Sequence, residues 1–448
     1  MNEADKITTE LTEPLLEVGI VSGHELHFNF PGSYRLTDCD SMPSASSNGL
    51  LSGTYAVFLK DGLIEFEGQS YNFLNFEPVE TNSAFELFDV RIGIGFHWER
   101  TEKQVFEGHL KLMVTGAFIT AINRIPLESY LISVISSEMS ANASIELLKA
   151  HAVISRSWLL SQILQKGKNK ATNPGFIETE TERIRWYDRE DHTYFDVCAD
   201  DHCQRYQGIT KASNPRVRDV IRATRGQALC WEDTICDARF SKSCGGYLEE
   251  FQNCWENTPK SYLKGLPDNI TDDIVPDLRD ETNAAAWILG SPPSFCNTTD
   301  KKILAQVLNK FDQETTDFYR WTVSYTKEAI STLACNRSGI DFGKIQDLIP
   351  LERGVSGRII KLKIVGSKQT RIIGKELEIR RTLSPSHLYS SAFVVEKTQD
   401  GFTLHGAGWG HGVGLCQIGA AVMGEQGYTY EAILSHYYPI TTLKSLYR

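Results

Sequence analysis

The apolar period of this chain changes at Pro126, and that change limits what it can fold into. Upstream, short segments read as strands separated by turn signals. They are "LLEVGIV", "ELHFNF", "TYAVFL" and "LIEFEG" within residues 14–85, then "FDVRIGIGFHW", "VFEGHLKLMVTG" and "FITAINRI". Downstream, "PLESYLISVISSEM" and "SIELLKAHAVISRSWLLSQILQ" carry helical spacing. In the second, Ile145, Leu148, Ala152 and Leu159 fall near one face, and Asn142 or Ser144 is placed to cap its start. The polar stretch 166–192 reads as an exposed loop, and 280–320 as helical and a candidate insertion. Strands return at "RIIKLKIVG" and "KELEIRRTL", and two helical pieces, "QIGAAVMGEQG" and "TYEAILSHYY", close the chain. Strands and helices segregated in runs predict an α+β fold, not a βαβ repeat. The expected division is a strand-rich region over 1–85 and a larger domain over 86–448.

Charge and hydropathy exclude some functions. The net charge is −11 with no basic block, so long-range attraction to nucleic acid or to an anionic membrane is not expected. No apolar run approaches the roughly 18 residues of a spanning helix. The start, "MNEADKITTELTEPLLEVGI", lacks the basic and apolar regions of a signal peptide. Either the protein stays inside or the sequence lacks an export segment. Ten cysteines are too few for a disulfide scaffold at this length. Cys230/Cys236 and Cys244/Cys254 are close enough in sequence to bridge in an oxidising compartment. Buried free thiols are the alternative.

Three segments carry candidate chemistry. The first is "GWGHGVGLCQIGA", Gly408 to Ala420, with five glycines and His411. Gly408, Gly410, Gly412 and Gly414 alternate, which fits neither the dinucleotide fingerprint nor the P-loop. Alternating glycine points to backbone with positive φ, or to a surface stripped for a bulky ligand with His411 and Gln417 as polar contacts. A tight structural turn is the competing explanation. The second is "HTYFDVCADDHC", holding His192, Cys198, His202 and Cys203. Two thiolates and two imidazoles suit tetrahedral Zn²⁺, and four ligands leave no open position, so the metal is expected to be structural. A Cys198–Cys203 disulfide is the alternative. The third is Glu138, beside Ile135 and Met139 and just before the second helix. A carboxyl group in apolar surroundings can serve as a proton donor. Lys149 and Arg156 lie seven apart on that helix and share a face. A solvated flanking glutamate is the plainer reading.

Together these segments resemble the stage II sporulation protein D/amidase enhancer family (SpoIID/LytB). "PLESYLISVISSEMSANASIELLKAHAVISRSWLL" is similar to its leucine-glutamate-x-tyrosine-leucine, Ser-Glu-Met and Lys-Ala-x-Ala-x-x-x-Arg signature. "DVCADDHCQRYQG", "SKSCGGYLEEFQNCW" and "GAGWGHGVGLCQIGAAVMGEQGYTYEAILSHYYP" resemble its Cys/His, Gly-Gly and C-terminal segments. The likeness runs from about residue 86 to the end. It implies a lytic transglycosylase with a groove for peptidoglycan glycan strands, preferentially those lacking stem peptides. The implied roles are Glu138 as catalytic acid/base, with Lys149, Arg156, Ser243, His411 and Gln417 as substrate-binding residues. His192, Cys198, His202 and Cys203 are the implied ligands of a structural zinc. A cell-wall amidase is an implied partner, and the substrate implies the cell envelope or periplasm. Cys416 stands where many members have serine. A glycan-binding enhancer of an amidase, without cleavage, is the rival reading.

Overall fold

A computed structural model describes residues 12–39, 49–80, 83–93, 99–140, 142–165, 175–186, 192–200, 202–210, 214–269, 275–308 and 316–447. The fold is α+β, as the segregated runs require. It divides into two compact units. The first is built from Ile7–Ala141, Asp191–Gln227 and Ser445–Arg448, the second from Asn142–Glu190 and Ala228–Lys444.

The first unit is a large, mainly antiparallel sheet of 11 strands. Its order runs Val197–Cys198, Leu15–Gly23, Phe118–Pro126, His109–Thr115, Phe73–Pro78, Glu25–Cys39, Leu51–Lys60, Leu63–Phe66 and Gln69–Tyr71. Ala84–Ile92 also pairs with the long strand Glu25–Cys39, and Arg100–Glu107 pairs with Ala84–Ile92. Side chains alternate faces along each strand, so Phe28 and Phe30 point the same way and are both buried. Phe30 stacks on Tyr34 at 4.2 Å between centroids, and Phe28 packs 5.6 Å from Phe76. Between Phe30 and Tyr34 the pairing register slips, where Pro31 and Gly32 interrupt the ladder. "VFEGHLKLMVTG" is two strands, because Gly108 takes φ +89° and a Cβ there would sit 2.7 Å from the Arg124 carbonyl. Residues 94–98 of the expected strand "FDVRIGIGFHW" lie outside the described residues.

Helix α1, Leu127–Glu138, follows directly on the strand ending at Pro126. Leu127, Tyr130, Leu131, Val134 and Ile135 are fully buried, and their spacing defines one face. Glu138 is the next residue on that face, four beyond Val134. The apolar stripe of α1 therefore ends on a carboxylate.

Helix α2, Ile145–Gln165, belongs to the second unit. Every residue from Ala150 to Gln162 is buried, so this is a core helix and not an amphipathic one. That explains why single-face reasoning fails at Ile145, which is 44% exposed, while Leu148, Ala152 and Leu159 are buried. Of the two expected caps, Ser144 does the capping: its Oγ accepts the Leu147 N–H at 3.2 Å. Polar residues on a buried helix must find partners. Ser157 Oγ accordingly donates to the Val153 carbonyl at 2.6 Å and accepts the Leu229 N–H at 2.8 Å.

Two expectations are corrected in this unit. The polar stretch 166–192, where described, holds a hairpin of Phe176–Glu178 and Glu182–Arg185. It extends a sheet through Thr370–Gly374, Ile359–Gly366 and Ile345–Arg353. Ile184 and Trp186 anchor the hairpin with 7% and 9% exposure, and two buried apolar side chains were too few to mark a strand among so many charges. "KELEIRRTL" is not a strand. It forms the helix Glu376–Thr382, with Glu376, Ile379, Thr382 and Leu383 buried at helical spacing and Arg380 3.4 Å from Glu376 one turn away. The alternation of Glu, Leu, Glu and Ile imitated a period of two. Residues 280–320 contain the helices Glu281–Leu289 and Lys301–Val307, and 309–315 lie outside the described residues.

The cap gives a direct test. Ser144→Ala should lower unfolding stability by about 1 kcal/mol in urea titration monitored on the full chain. An unchanged midpoint would show that the Ser144 hydroxyl contributes nothing to starting α2.

Candidate functional site

In the first unit, Glu138 closes α1 half-buried. Its Oε1 accepts the backbone N–H of Arg205 at 3.2 Å. A carboxylate at a helix C-terminus gains nothing from the helix dipole, so an N–H from another segment is what fixes it. That segment runs along α1. Gln207 N–H donates to Ser133 Oγ at 3.1 Å, Tyr130 OH donates to Gln204 at 3.4 Å, and Tyr206 stacks on Tyr130 at 4.9 Å. Tyr206 OH in turn donates to Asn123 Oδ1 at 2.5 Å.

Immediately before this clamp lies the Cys/His segment. Val197–Cys198 pairs in parallel with Val18–Gly19, and Ala199 N–H donates to the Gly19 carbonyl at 2.9 Å. Gly19 is required there, since a Cβ would sit 2.6 Å from the Phe195 ring, on which His192 stacks at 4.5 Å. The structure brings all four expected ligands together: one ligand atom each from His192, Cys198, His202 and Cys203 lies within 4.8 Å of the others. His192 Nε2 is 3.3 Å and His202 Nδ1 3.5 Å from Cys203 Sγ, and His202 Nδ1 is 3.9 Å from Cys198 Sγ. The Cys203 hydrogen bond, helped by both imidazoles and opposed by burial, pulls the Cys198 thiol down to about 2. The set thus favours a thiolate, the form a metal ion takes.

The glycine run lies in the second unit. Gly408, Gly410, Gly412 and Gly414 take φ of +75°, +93°, +75° and +71°. At three of the four, the space the missing Cβ would fill is taken by the protein itself. At Gly408 it is the Ser243 carbonyl at 2.7 Å, at Gly412 the Arg358 guanidinium carbon at 2.4 Å, and at Gly414 the Arg239 carbonyl at 2.0 Å. Glycine is needed at these positions by internal packing, whatever lies on the outer side.

The other expected site residues fall around this run and along α2. Ser243 is fully buried; its backbone exchanges two hydrogen bonds with Trp409, at 3.0 and 2.8 Å. Among the described residues its hydroxyl has no hydrogen-bond partner. His411 Nδ1 accepts the Val413 N–H at 3.0 Å, and the ring meets Trp255 edge-on at 4.8 Å. Burial, with Arg239 and Arg358 nearby, holds its pKa well below the ordinary histidine value, so the ring is neutral. Gln417 is buried and its Nε2 sits 3.1 Å from His151 Nε2, with His151 Nδ1 3.2 Å from Ser155 Oγ. Arg156 is fully buried in α2, one guanidinium nitrogen 3.5 Å from the Ala152 carbonyl. Lys149 pairs with Glu146 at 2.9 Å and keeps 24% of its side chain exposed. Arg156, Ser243 and Gln417 therefore offer almost no surface to a ligand in solution, and Lys149 offers some.

Sequence reasoning missed the parts that hold these residues. Arg205 contributes only its backbone N–H, which no side-chain pattern announces. Arg358, buried, donates to the Gly410 carbonyl at 3.1 Å, to the Cys244 carbonyl at 3.2 Å and to Ser356 Oγ at 3.0 Å. Ser356 Oγ donates to the buried Glu249 at 2.6 Å. Cys198, Cys203, Cys230, Cys236, Cys244, Cys254, Cys296, Cys335 and Cys416 are free thiols. Cys254 lies against the His411 carbonyl at 3.7 Å, whereas Cys244 lies 3.6 Å from Cys296.

Comparison with known proteins places this architecture. Residues 115–231, which contain α1, α2 and the Cys/His segment, match the model of the stage II sporulation protein family. That match falls on the segment whose motifs carried the resemblance. It is 27% identical over 321 residues to the amidase enhancer of Bacillus subtilis, covering 70% of this chain and 40% of that protein. It is 25% identical over 321 residues to stage II sporulation protein D of Bacillus amyloliquefaciens, covering 71% of this chain and 74% of that protein. An uncharacterized protein of Brachyspira hyodysenteriae is 23% identical over 333 residues, covering 74% and 70%. Residues 249–414 match a second model, described as a domain of unknown function (DUF8618).

The glycine geometry makes a prediction. Gly412→Ala must place a Cβ against Arg358 at positive φ. The left-handed backbone costs about 1–2 kcal/mol and the overpacking about 1–3 kcal/mol. Thermal unfolding of the variant should begin well below that of the wild type. Equal melting curves would refute the internal-packing account of the run.

Proposed function

We propose that this protein is a peptidoglycan lytic transglycosylase of the cell envelope, with Glu138 as its single catalytic acid and base. The observation that carries the reading is the placement of Glu138 on the apolar face of α1, with Oε1 fixed by the Arg205 N–H. The sporulation-family domain over residues 115–231 and the amidase enhancer relative support a role at the cell wall.

The chemistry needs one carboxyl group where ordinary glycosidases use two. Glu138 in its acid form donates a proton to the departing glycosidic oxygen as the bond to the anomeric carbon breaks. The resulting carboxylate takes the proton of the muramoyl C6 hydroxyl, whose oxygen closes on the anomeric carbon. The product is an anhydromuramoyl end, and Glu138 is again protonated. Lys149, with its reachable charge, is assigned to the sugar chain together with His411. Arg156, Ser243 and Gln417 are assigned to holding the backbone that lines the strand.

His192, Cys198, His202 and Cys203 would hold a structural Zn²⁺, which when bound supplies a cross-link and no open coordination position. The four residues hold the segment that ends in the Arg205 clamp. One alternative, a glycan-binding enhancer of an amidase that does not cut, is favoured by the likeness to the amidase enhancer of Bacillus subtilis.

Glu138→Gln should keep the fold and retain binding to strands stripped of stem peptides. It should lose about 10²–10⁴-fold in cleavage. Mass spectrometry of the wild-type digest should show anhydromuramoyl ends. Ordinary reducing ends would indicate attack by water, and intact strands with both proteins would favour the enhancer. A second expectation concerns the metal: Cys198→Ser should lose one equivalent of zinc by elemental analysis relative to wild type. Unchanged zinc content would remove Cys198 from the ligand set.

A further inference from the structure

The second unit gathers another set of metal-ligating side chains, away from the Cys/His segment. Cys244, Asp268, Cys296 and Cys416 come from four separate stretches of chain, yet one ligand atom from each lies within 4.8 Å of the others. All four are buried, Cys244 with 2% exposure and the other three with none. Cys244 Sγ is 3.6 Å from Cys296 Sγ and 3.3 Å from Asp268 Oδ2. The Cys244 backbone N–H points at Cys416 Sγ from 3.2 Å.

We propose that Cys244, Asp268, Cys296 and Cys416 bind a second, structural Zn²⁺. The proposal is independent of the lytic reading. Thiolates about 2.3 Å from a tetrahedral ion stand roughly 3.7 Å from one another, and a thiolate and a carboxylate oxygen roughly 3.5 Å. The Cys244–Cys296 and Cys244–Asp268 separations are close to these edges. Three sulfur ligands select zinc over magnesium or calcium, which take oxygen. Four protein ligands complete the tetrahedron and leave no place for water, so the ion is structural.

The surroundings are those of a held ligand set. Tyr437 OH donates to Asp268 Oδ1 at 2.9 Å, and His436 Nε2 lies 3.3 Å from the same oxygen. Ser294 Oγ and the Cys296 N–H donate to Oδ2, both at 3.2 Å. Such outer contacts orient a ligating carboxylate. Gly419 leaves the room the carboxylate needs, since a Cβ there would sit 2.9 Å from Oδ2. In the thiolate form that a metal ion takes, three sulfurs and a carboxylate at such short range need a cation among them.

The placement also says what the ion would do. Cys244 precedes the DUF8618 segment 249–414, and Cys416 follows it, while Asp268 and Cys296 lie inside. One ion would pin both ends of that segment to its interior at a single point. Cys416 also starts the helix Gln417–Glu425, and Cys244 follows Ser243, whose backbone pairs with Trp409. The ion would thereby fasten both sides of the glycine run.

The test counts zinc in full chain purified from zinc-supplemented culture, with a thiol reductant and no chelator. Native mass spectrometry should find two zinc ions in the wild type and one in Cys296→Ser. The double variant Cys198→Ser with Cys203→Ser, which leaves the buried set intact, should keep one. Replacing that zinc with Co²⁺ should give the intense visible and near-ultraviolet bands of tetrahedral thiolate ligation, and adding Cys296→Ser should abolish them. A single zinc in the wild type, lost with Cys296→Ser but kept in the Cys198/Cys203 double variant, would still support the buried site and instead refute the Cys/His one. A folded double variant without zinc would overturn the proposal. So would a disulfide among Cys244, Cys296 and Cys416 in peptide mapping of non-reduced protein.

Discussion

A buried guanidinium governs the second unit. Arg358 is 1% exposed and cannot shed its charge, so every donor it carries needs an acceptor inside the protein. The acceptors are backbone carbonyls of the glycine run and of the Gly-Gly segment, with Ser356 relaying to the buried carboxylate of Glu249. Burial pushes the Glu249 pKa up, while Ser356, Asn253, the Glu250 N–H and Arg358 pull the other way. Removing one member would strand the others, a loss of about 3–5 kcal/mol for a buried pair. Gly412 has no side chain because the guanidinium occupies that volume, and Gly354 has none because the Glu249 carboxylate would lie 2.3 Å from its Cβ. Two runs of sequence far apart are thus shaped by one charge.

The same view shows what sequence could and could not reveal. Strands with clean alternation and the two helices after Pro126 were legible because one period suffices to place them. The Cys/His segment was legible because its four ligands fall within 12 consecutive residues, His192 to Cys203. "KELEIRRTL" misled because a short run fits both periods, and burial, which decides between them, is a tertiary property. Helix α2 was legible as a helix but not as a core one: it is buried on all sides from Ala150 to Gln162, and Ile145, placed on one face by its spacing, is exposed. Arg358 and the Arg205 N–H left no trace at all. One is a single arginine among 46 basic residues, and the other is a backbone group.

Cys244, Asp268, Cys296 and Cys416 belong to the same class of invisible features. Their separations of 24, 28 and 120 residues match no ligand spacing, so only the fold makes them neighbours. The cysteine count raised the question of disulfides, and proximity in sequence suggested Cys244 with Cys254. Proximity in space gives Cys244 a different set of companions. Cys254 instead packs against the His411 carbonyl, and its thiol, raised well above the usual value by burial, behaves as a small apolar side chain.

In the first unit the decisive quantity is rigidity. A lone carboxyl group that must first give and then take a proton has to stay within hydrogen-bond reach of two different oxygens through the reaction. At the last turn of a helix, a glutamate is poorly restrained by its own element, where the chain is leaving the helical ladder. Here the restraint comes from the segment carrying Arg205, which lies on α1 through Gln204, Tyr206 and Gln207 and continues directly from Cys203. A cross-link at His192, Cys198, His202 and Cys203 would act on the carboxylate through one intervening residue, Gln204, by limiting where the Arg205 N–H can go. In the proposed reading the Cys/His set is therefore part of the catalytic geometry without touching the substrate.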